Sequence, residues 1–96
     1  MDFEIFYTEP ALADLEEILA WSWAHHPATT ERFANSLLNH VDLLSTFPYL
    51  GTRVRGYAGV RRLSHSPLGA YYRIHEDLRL IEILHFWHGA RIAPKF

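Results

Sequence analysis

The residues of this sequence best suited to recognising phosphates or proteins are arginines, and they are concentrated in its second half. Residues 1–47 carry eight acids and one base, a formal charge of −7, whereas residues 48–96 carry eight bases and three acids, a formal charge of +5. A guanidinium binds phosphates and carboxylates but stays protonated, so it cannot exchange a proton during a reaction. The basic half therefore predicts a surface for nucleic acid or an acidic protein segment. An alternative that fits the composition equally well is that the acidic and basic halves neutralise each other across the fold.

Proton transfer would fall to histidine, and two histidines near the end of the chain are the candidates. His85 is in phase with Ile81 and Ile83, which predicts a partly buried, hydrogen-bonded ring rather than a catalyst. His88 ends the last predicted strand and is the better acid–base candidate.

Composition excludes several classes of site. The sequence contains no cysteine, which excludes disulfides, thiolate zinc sites and sulfur redox chemistry and favours a reducing cytoplasm. His25 and His26 are adjacent, and spacing fixes no third ligand, so neither a metal nor a cofactor is predicted. No window approaches the roughly 20 apolar residues of a membrane span, and no signal peptide is visible. We therefore expect a cytoplasmic protein with no membrane partner.

Hydrophobic periodicity predicts one domain over residues 1–96, of the α+β class, in the order β-α-α-β-β-β. Alternation from Phe3 to Tyr7 predicts the first strand, and Thr8 is the expected N-cap of a helix that ends at His25-His26-Pro27. A second helix follows at once and ends at Pro48, so the two helices form an antiparallel hairpin. Its predicted buried stripe contains Phe33, Leu37, Val41, Leu44 and Phe47.

The second half of the chain predicts an antiparallel meander. Residues 48–59 contain three glycines and two arginines and predict a basic, exposed and mobile loop. Strands are expected at about 60–64, 68–75 and 79–87, the last of them apolar on both faces and therefore central. The helical hairpin should pack on one face of this small, mainly antiparallel sheet. One or two of the three tryptophans, Trp21, Trp23 and Trp87, are expected in the core.

Four segments resemble the RelE/ParE toxin family, most closely its ParE-like, plasmid-stabilisation branch. They are PALADLEEI at 10–18, FPYLG at 47–51, GVRRL at 59–63 and ILHFWHGAR at 83–91. The resemblance runs in order across nearly the whole chain. It implies a toxin of a type II toxin–antitoxin system, neutralised by a cognate antitoxin.

The resemblance also implies alternative targets for the toxin. The ParE-like branch is similar to proteins that inhibit DNA gyrase by binding it and that catalyse no reaction themselves. Arginine and tyrosine are favoured anchors at protein interfaces. The candidate target-binding residues are Arg53, Arg55, Tyr57, Arg61, Arg73 and Arg91.

RelE-like members are instead ribosome-dependent mRNA endoribonucleases. For that alternative the arginines would bind phosphate and His88 would be the acid–base residue, although Gly89 follows where a ribonuclease-type relative has tyrosine. For Arg62, a structural ion pair to Glu16 or Glu17 fits the sequence as well as a target-binding role does. A third alternative is a non-toxic binding module on the same fold.

Overall fold

The structure, a computed structural model, describes residues 2–89. Its elements are β1 (Glu4–Tyr7), α1 (Glu9–His25), α2 (Pro27–Asp42), a 3-10 turn (Leu43–Ser45), β2 (Thr52–Arg53), β3 (Val60–His65), β4 (Leu68–His75) and β5 (Leu80–His88). The strands form one sheet in the order β1-β5-β4-β3-β2, in which β1 runs parallel to β5 and all other pairs are antiparallel. The predicted α+β fold and the internal position of β5 are confirmed. The short strand β2 is an addition, inside the segment predicted to be a loop.

Thr8 links the start of α1 to the sheet. Its hydroxyl oxygen accepts a hydrogen bond from the Ala11 amide at 3.3 Å and donates one to the Ile83 carbonyl at 2.7 Å. Pro10 occupies the first turn, where a missing amide hydrogen leaves no partner unsatisfied. The predicted N-cap is therefore confirmed, and one side chain holds both α1 and β5.

Replacing Thr8 by valine, which keeps the shape but removes the hydroxyl, is expected to lower the free energy of unfolding by about 1–2 kcal/mol. Both the cap and a partner of the Ile83 carbonyl are lost. Urea unfolding measures the change, with Thr29→Val on the exposed surface of α2 as the matched control. Equal stability of the two variants would contradict this role of Thr8.

The core lies between the helical hairpin and one face of the sheet. Leu37, Val41 and Leu44 are fully buried there, as predicted. Phe47, predicted to extend the same stripe, is 57% exposed, which is a correction. The reason is that α2 ends at Asp42 and continues as a 3-10 turn, whose tighter winding changes the direction in which later side chains point.

A register shift in β5 corrects the expected phase of that strand. Tyr72 is opposite Ile83 but Tyr71 is opposite His85, so Leu84 is an extra residue in β5. Phe86 consequently points into the core and is fully buried, whereas His85 no longer shares the face of β5 that carries Ile81 and Ile83. The prediction that His85 remains in phase with the buried isoleucines is wrong. Simple alternation cannot reveal such an insertion.

None of the tryptophans belongs to the core cluster formed by the residues described, contrary to prediction. Trp21 is 67% exposed and Trp23 is 54% exposed, because α1 turns Ala11, Leu15 and Ile18 towards the sheet instead. No helix within residues 2–89 is long and apolar enough to cross a membrane.

Candidate functional site

A cleft of about 690 Å³ opens beside β2 and β3, and residues of the predicted basic loop line it. Its polar lining comes from Arg53 on β2, Arg61 on β3, Tyr49 and Tyr57 in the flanking loops, and Glu76 after β4. The cleft is thus built from the edge strand β2, its neighbour β3 and the turns beside them. Two cations and two aromatic rings face the same open space.

The turn between β2 and β3 forms one wall of this cleft. The Val54 amide donates to the Val60 carbonyl at 3.0 Å, and the Val60 amide donates to the Tyr57 carbonyl at 3.2 Å. Gly56 and Gly59 have φ angles of 87° and 79°, which L side chains rarely adopt. The two glycines therefore allow the chain to reverse tightly, and this reversal places Tyr57 in the wall.

Arg61 is held in place, whereas Arg53 is exposed. Arg61 donates from Nη1 to the Gly51 carbonyl at 2.6 Å, and its guanidinium lies 4.8 Å from the centre of the Tyr49 ring. The Tyr49 hydroxyl in turn donates to the Glu76 carboxylate. Arg53 pairs directly with Arg61 across the two strands. Like charges in such a pair repel each other, so an acidic group bound in the cleft would relieve the repulsion.

The other predicted target-binding residues have different positions. Arg55 is exposed in the turn but does not line the cleft. Arg73 lies on β4 opposite Val60, with its Nε atom 3.9 Å from the position that a Cβ atom at Gly59 would take, which places it at the rim. Arg91 lies outside the described residues. The structure therefore unites Arg53, Tyr57 and Arg61 but not the whole predicted set.

His88 lies at the opposite end of the sheet from the cleft. It pairs with Leu68, whereas Arg61 pairs with Tyr72, and four residues of extended strand span roughly 13 Å. His88 instead contributes to a separate groove of about 270 Å³ between α1 and β5, together with Asp14, Glu17, Ile18, Trp21, Phe86 and Trp87. The acid–base candidate and the arginine cleft are therefore separate features.

Arg62, which the predicted target-binding set omits, has a closely packed guanidinium. Its Nη1 atom donates to the Ser64 hydroxyl at 2.6 Å, and its guanidinium lies 5.8 Å from the centre of the Tyr71 ring. A Cβ atom at Gly69 would lie 2.4 Å from Nε, and one at Gly89 would lie 3.1 Å from Nη2. Arg62 thus occupies a notch that two glycines leave open. A glycine inside a predicted strand was the one sequence signal for this close approach.

The alternative roles of two other features are resolved by their contacts. Arg62 contacts Ser64 and Tyr71 rather than the acids of α1. Two of the described histidines, His75 and His85, contact carboxylates. His85 has its Nδ1 atom 2.7 Å from Asp14 Oδ2, so the prediction of a partly buried, hydrogen-bonded ring is confirmed.

Within residues 2–89, no group of three or more potential ligands converges on a metal position.

Solved structures of toxin–antitoxin systems share this fold. The chain superposes on one from the chromosomal ParDE system of P. aeruginosa with a TM-score of 0.76 and 23% identity, over 90% of this chain and 95% of that one. A chain of a RelBE complex from Mycobacterium tuberculosis matches with a TM-score of 0.68 and 21% identity, over 92% and 99% of the two chains. For the intact E. coli RelBE complex the values are 0.61 and 13%, over 93% and 99%.

Sequence comparison gives the family. No curated protein sequence matches the chain significantly. The family described as the ParE toxin of the type II toxin–antitoxin system parDE, however, matches residues 5–93, which is nearly the entire chain. With a fold shared by ParDE and RelBE structures, the chain belongs to the ParE toxin family of type II toxin–antitoxin systems.

Proposed function

We propose that this toxin acts by binding and inhibiting DNA gyrase through the arginine cleft, formed by Arg53, Tyr57 and Arg61, and that a cognate antitoxin neutralises it. The observation that carries the proposal is the convergence of these three side chains in one open cleft. Arginine and tyrosine in an open depression are effective anchors for a protein partner. The proposed setting is the cytoplasm, where gyrase acts, with residues 1–96 forming one domain.

The cleft is better suited to binding than to proton transfer. Its two guanidiniums remain protonated throughout any reaction. The carboxylate of Glu76 is engaged by the Tyr49 hydroxyl, and His88 lies roughly 13 Å away along the sheet. An acidic surface of a target protein would instead satisfy both arginines at once.

The proposed antitoxin partner rests on the solved relatives and on an uncovered surface. The similar P. aeruginosa, M. tuberculosis and E. coli chains come from toxin–antitoxin systems or complexes. In the present chain, α1 exposes Trp21 and Trp23 by more than half. Tryptophan side chains are enriched at protein interfaces. An antitoxin segment that covers α1 would remove this apolar surface from water.

A supercoiling assay with purified gyrase tests the proposed target. The toxin is expected to inhibit supercoiling, and addition of the cognate antitoxin before the toxin is expected to restore it. Growth arrest on induced expression without any effect on gyrase would exclude gyrase as the target. Unimpaired growth in the absence of antitoxin would instead support a non-toxic binding module.

Ribosome-dependent mRNA cleavage is a second candidate, favoured by the position of Arg62. Its guanidinium lies against Gly89, the residue after His88, so a fixed cation and an imidazole share one end of the sheet. When the 2′-hydroxyl attacks phosphorus and the bond to the 5′-oxygen breaks, a cation stabilises the negative charge on the phosphoryl oxygens and a protonated histidine donates to the departing 5′-oxygen, while another group must accept the 2′-hydroxyl proton. Primer extension on translated messages, with the toxin and with His88→Ala, tests it. Absence of cleavage products with the unmodified toxin would eliminate this candidate.

A further inference from the structure

Two histidines connect α2 to β3 away from the arginine cleft. The Nδ1 atom of His40 on α2 lies 2.9 Å from the Nδ1 atom of His65 on β3, and the ring centres are 5.1 Å apart. The rings therefore meet with their Nδ1 atoms facing each other. Ser36 places its hydroxyl 3.4 Å from the other ring nitrogen of His65, and the Phe33 ring meets His65 edge-on at 5.5 Å. Three residues of α2 thus surround the last residue of β3.

This contact depends on the number of protons that the two rings carry. When both rings are neutral, one Nδ1 can carry the hydrogen while the other accepts it. One additional proton preserves the hydrogen bond, since the charged ring can donate to the neutral one. A second additional proton puts hydrogens on both facing nitrogens and a positive charge on both rings. The attractive contact then becomes a repulsive one.

The surroundings do not compensate for a second charge. Burial lowers the pKa of His65, and the charge on His40 lowers that pKa further. The recess beside His40 is lined from β2, from β3 and from the turn before them, and its charged residue is a cation, Arg62. The exposed carboxylate of Asp42, farther along α2, acts on Tyr7 of β1. Of the groups in the described part of the chain, no carboxylate is among those that affect the pKa of His65.

We propose that the His40–His65 contact is a clasp that holds α2 against β3 at neutral pH and opens when both rings are protonated. β3 also carries Arg61, so the clasp connects the helical hairpin to a strand of the arginine cleft. Acid therefore loosens the packing of α2 on the strand that positions this arginine. The device is independent of the identity of the toxin's target.

The direction of the pH effect follows from proton binding. The folded protein disfavours protonated His65, so the unfolded chain binds more protons as the pH falls. The stabilising contribution is complete above the ordinary histidine pKa of about 6.5 and is lost as the pH falls below it. Between about pH 7.5 and pH 5.5, the urea midpoint and the hydrogen-exchange protection of the Leu37 and Val41 amides are expected to fall together.

The matched variants of the full chain are His40→Gln and, as control, His26→Gln, which alters an exposed histidine at the tip of the hairpin. Glutamine can still hydrogen-bond to His65 but cannot become charged, so His40→Gln should lose the part of the acid-induced fall that comes from repulsion between the two rings, keeping only the part due to burial of His65, whereas His26→Gln should keep the whole fall. A fall of equal size in all three proteins overturns the proposal. An NMR titration of the unmodified protein provides a second test: unchanged protection of Leu37 and Val41 once both rings are protonated also overturns it.

Discussion

Replacing Arg53 by alanine is expected to raise the toxin concentration needed for half-inhibition of gyrase by about tenfold or more. Truncation of an arginine anchor at an interface commonly costs more than about 1 kcal/mol, and about 1.4 kcal/mol corresponds to a tenfold change in affinity. Arg53 is exposed, and its side chain lines the cleft opposite the fixed Arg61. Its removal therefore changes the binding surface with little effect on the fold. The supercoiling assay measures the shift.

Arg55 provides the matched control because it has the same charge, is also exposed and lies two residues away, yet does not line the cleft. Arg55→Ala is expected to leave the half-inhibition concentration within about threefold of the unmodified value. If both variants lose inhibition to the same extent, net charge and not the cleft determines binding. If neither loses inhibition, the target-binding surface lies elsewhere on the toxin.

The different positions of Arg53 and Arg55 could not be predicted from the sequence. Both belong to one basic loop, and no periodicity distinguishes them, because the loop has no regular repeat. Their separation arises from β2, a strand of two residues that pairs Arg53 with Arg61, and from the glycine turn that follows. A pairing between residues eight positions apart is a tertiary feature. The six candidates named from the sequence therefore include Arg53, Tyr57 and Arg61, but nothing in the sequence shows that the fold brings these three together.

Regular elements were predictable because each has a repeating burial pattern. The bounds of β4, Leu68–His75, agree with the prediction, and Thr8 was recognisable as a cap from its residue type and position. The errors occur where the chain departs from an ideal repeat. The 3-10 turn after Asp42 exposes Phe47, and the extra residue in β5 exchanges the places of His85 and Phe86. Neither irregularity has a distinct sequence signal.

The contact between His40 and His65 is another feature that the sequence did not predict. His40 lies on α2, and His65 is the last residue of β3. The contact between them depends on how closely α2 approaches β3, which hydrophobic periodicity does not specify. Polar contacts between distant elements were therefore the features least accessible from sequence.

Tyr72 is the residue on which the core and the arginine cleft both depend. It is fully buried on β4, and its hydroxyl donates to the Pro48 carbonyl at 2.7 Å and accepts from the Gly51 amide at 2.9 Å. The Gly51 carbonyl in turn accepts from Arg61. Burial raises the pKa of Tyr72, against smaller opposing effects of the Gly51 amide and Arg61. A single hydroxyl thus fixes the turn that holds one of the cleft's cations.

Tyr72→Phe is therefore expected to lower the free energy of unfolding by about 2–3 kcal/mol, because an amide and a carbonyl both lose their partner. Gyrase inhibition should weaken as well, since the Pro48–Gly51 turn no longer fixes Arg61. Tyr49→Phe is the stability control: it removes an exposed hydroxyl and is expected to change the free energy of unfolding by less than about 0.5 kcal/mol. Urea unfolding of the two variants distinguishes these roles. A Tyr72→Phe protein as stable as Tyr49→Phe would show that water or a rearranged turn satisfies both backbone groups, and the link between core and cleft would then fail.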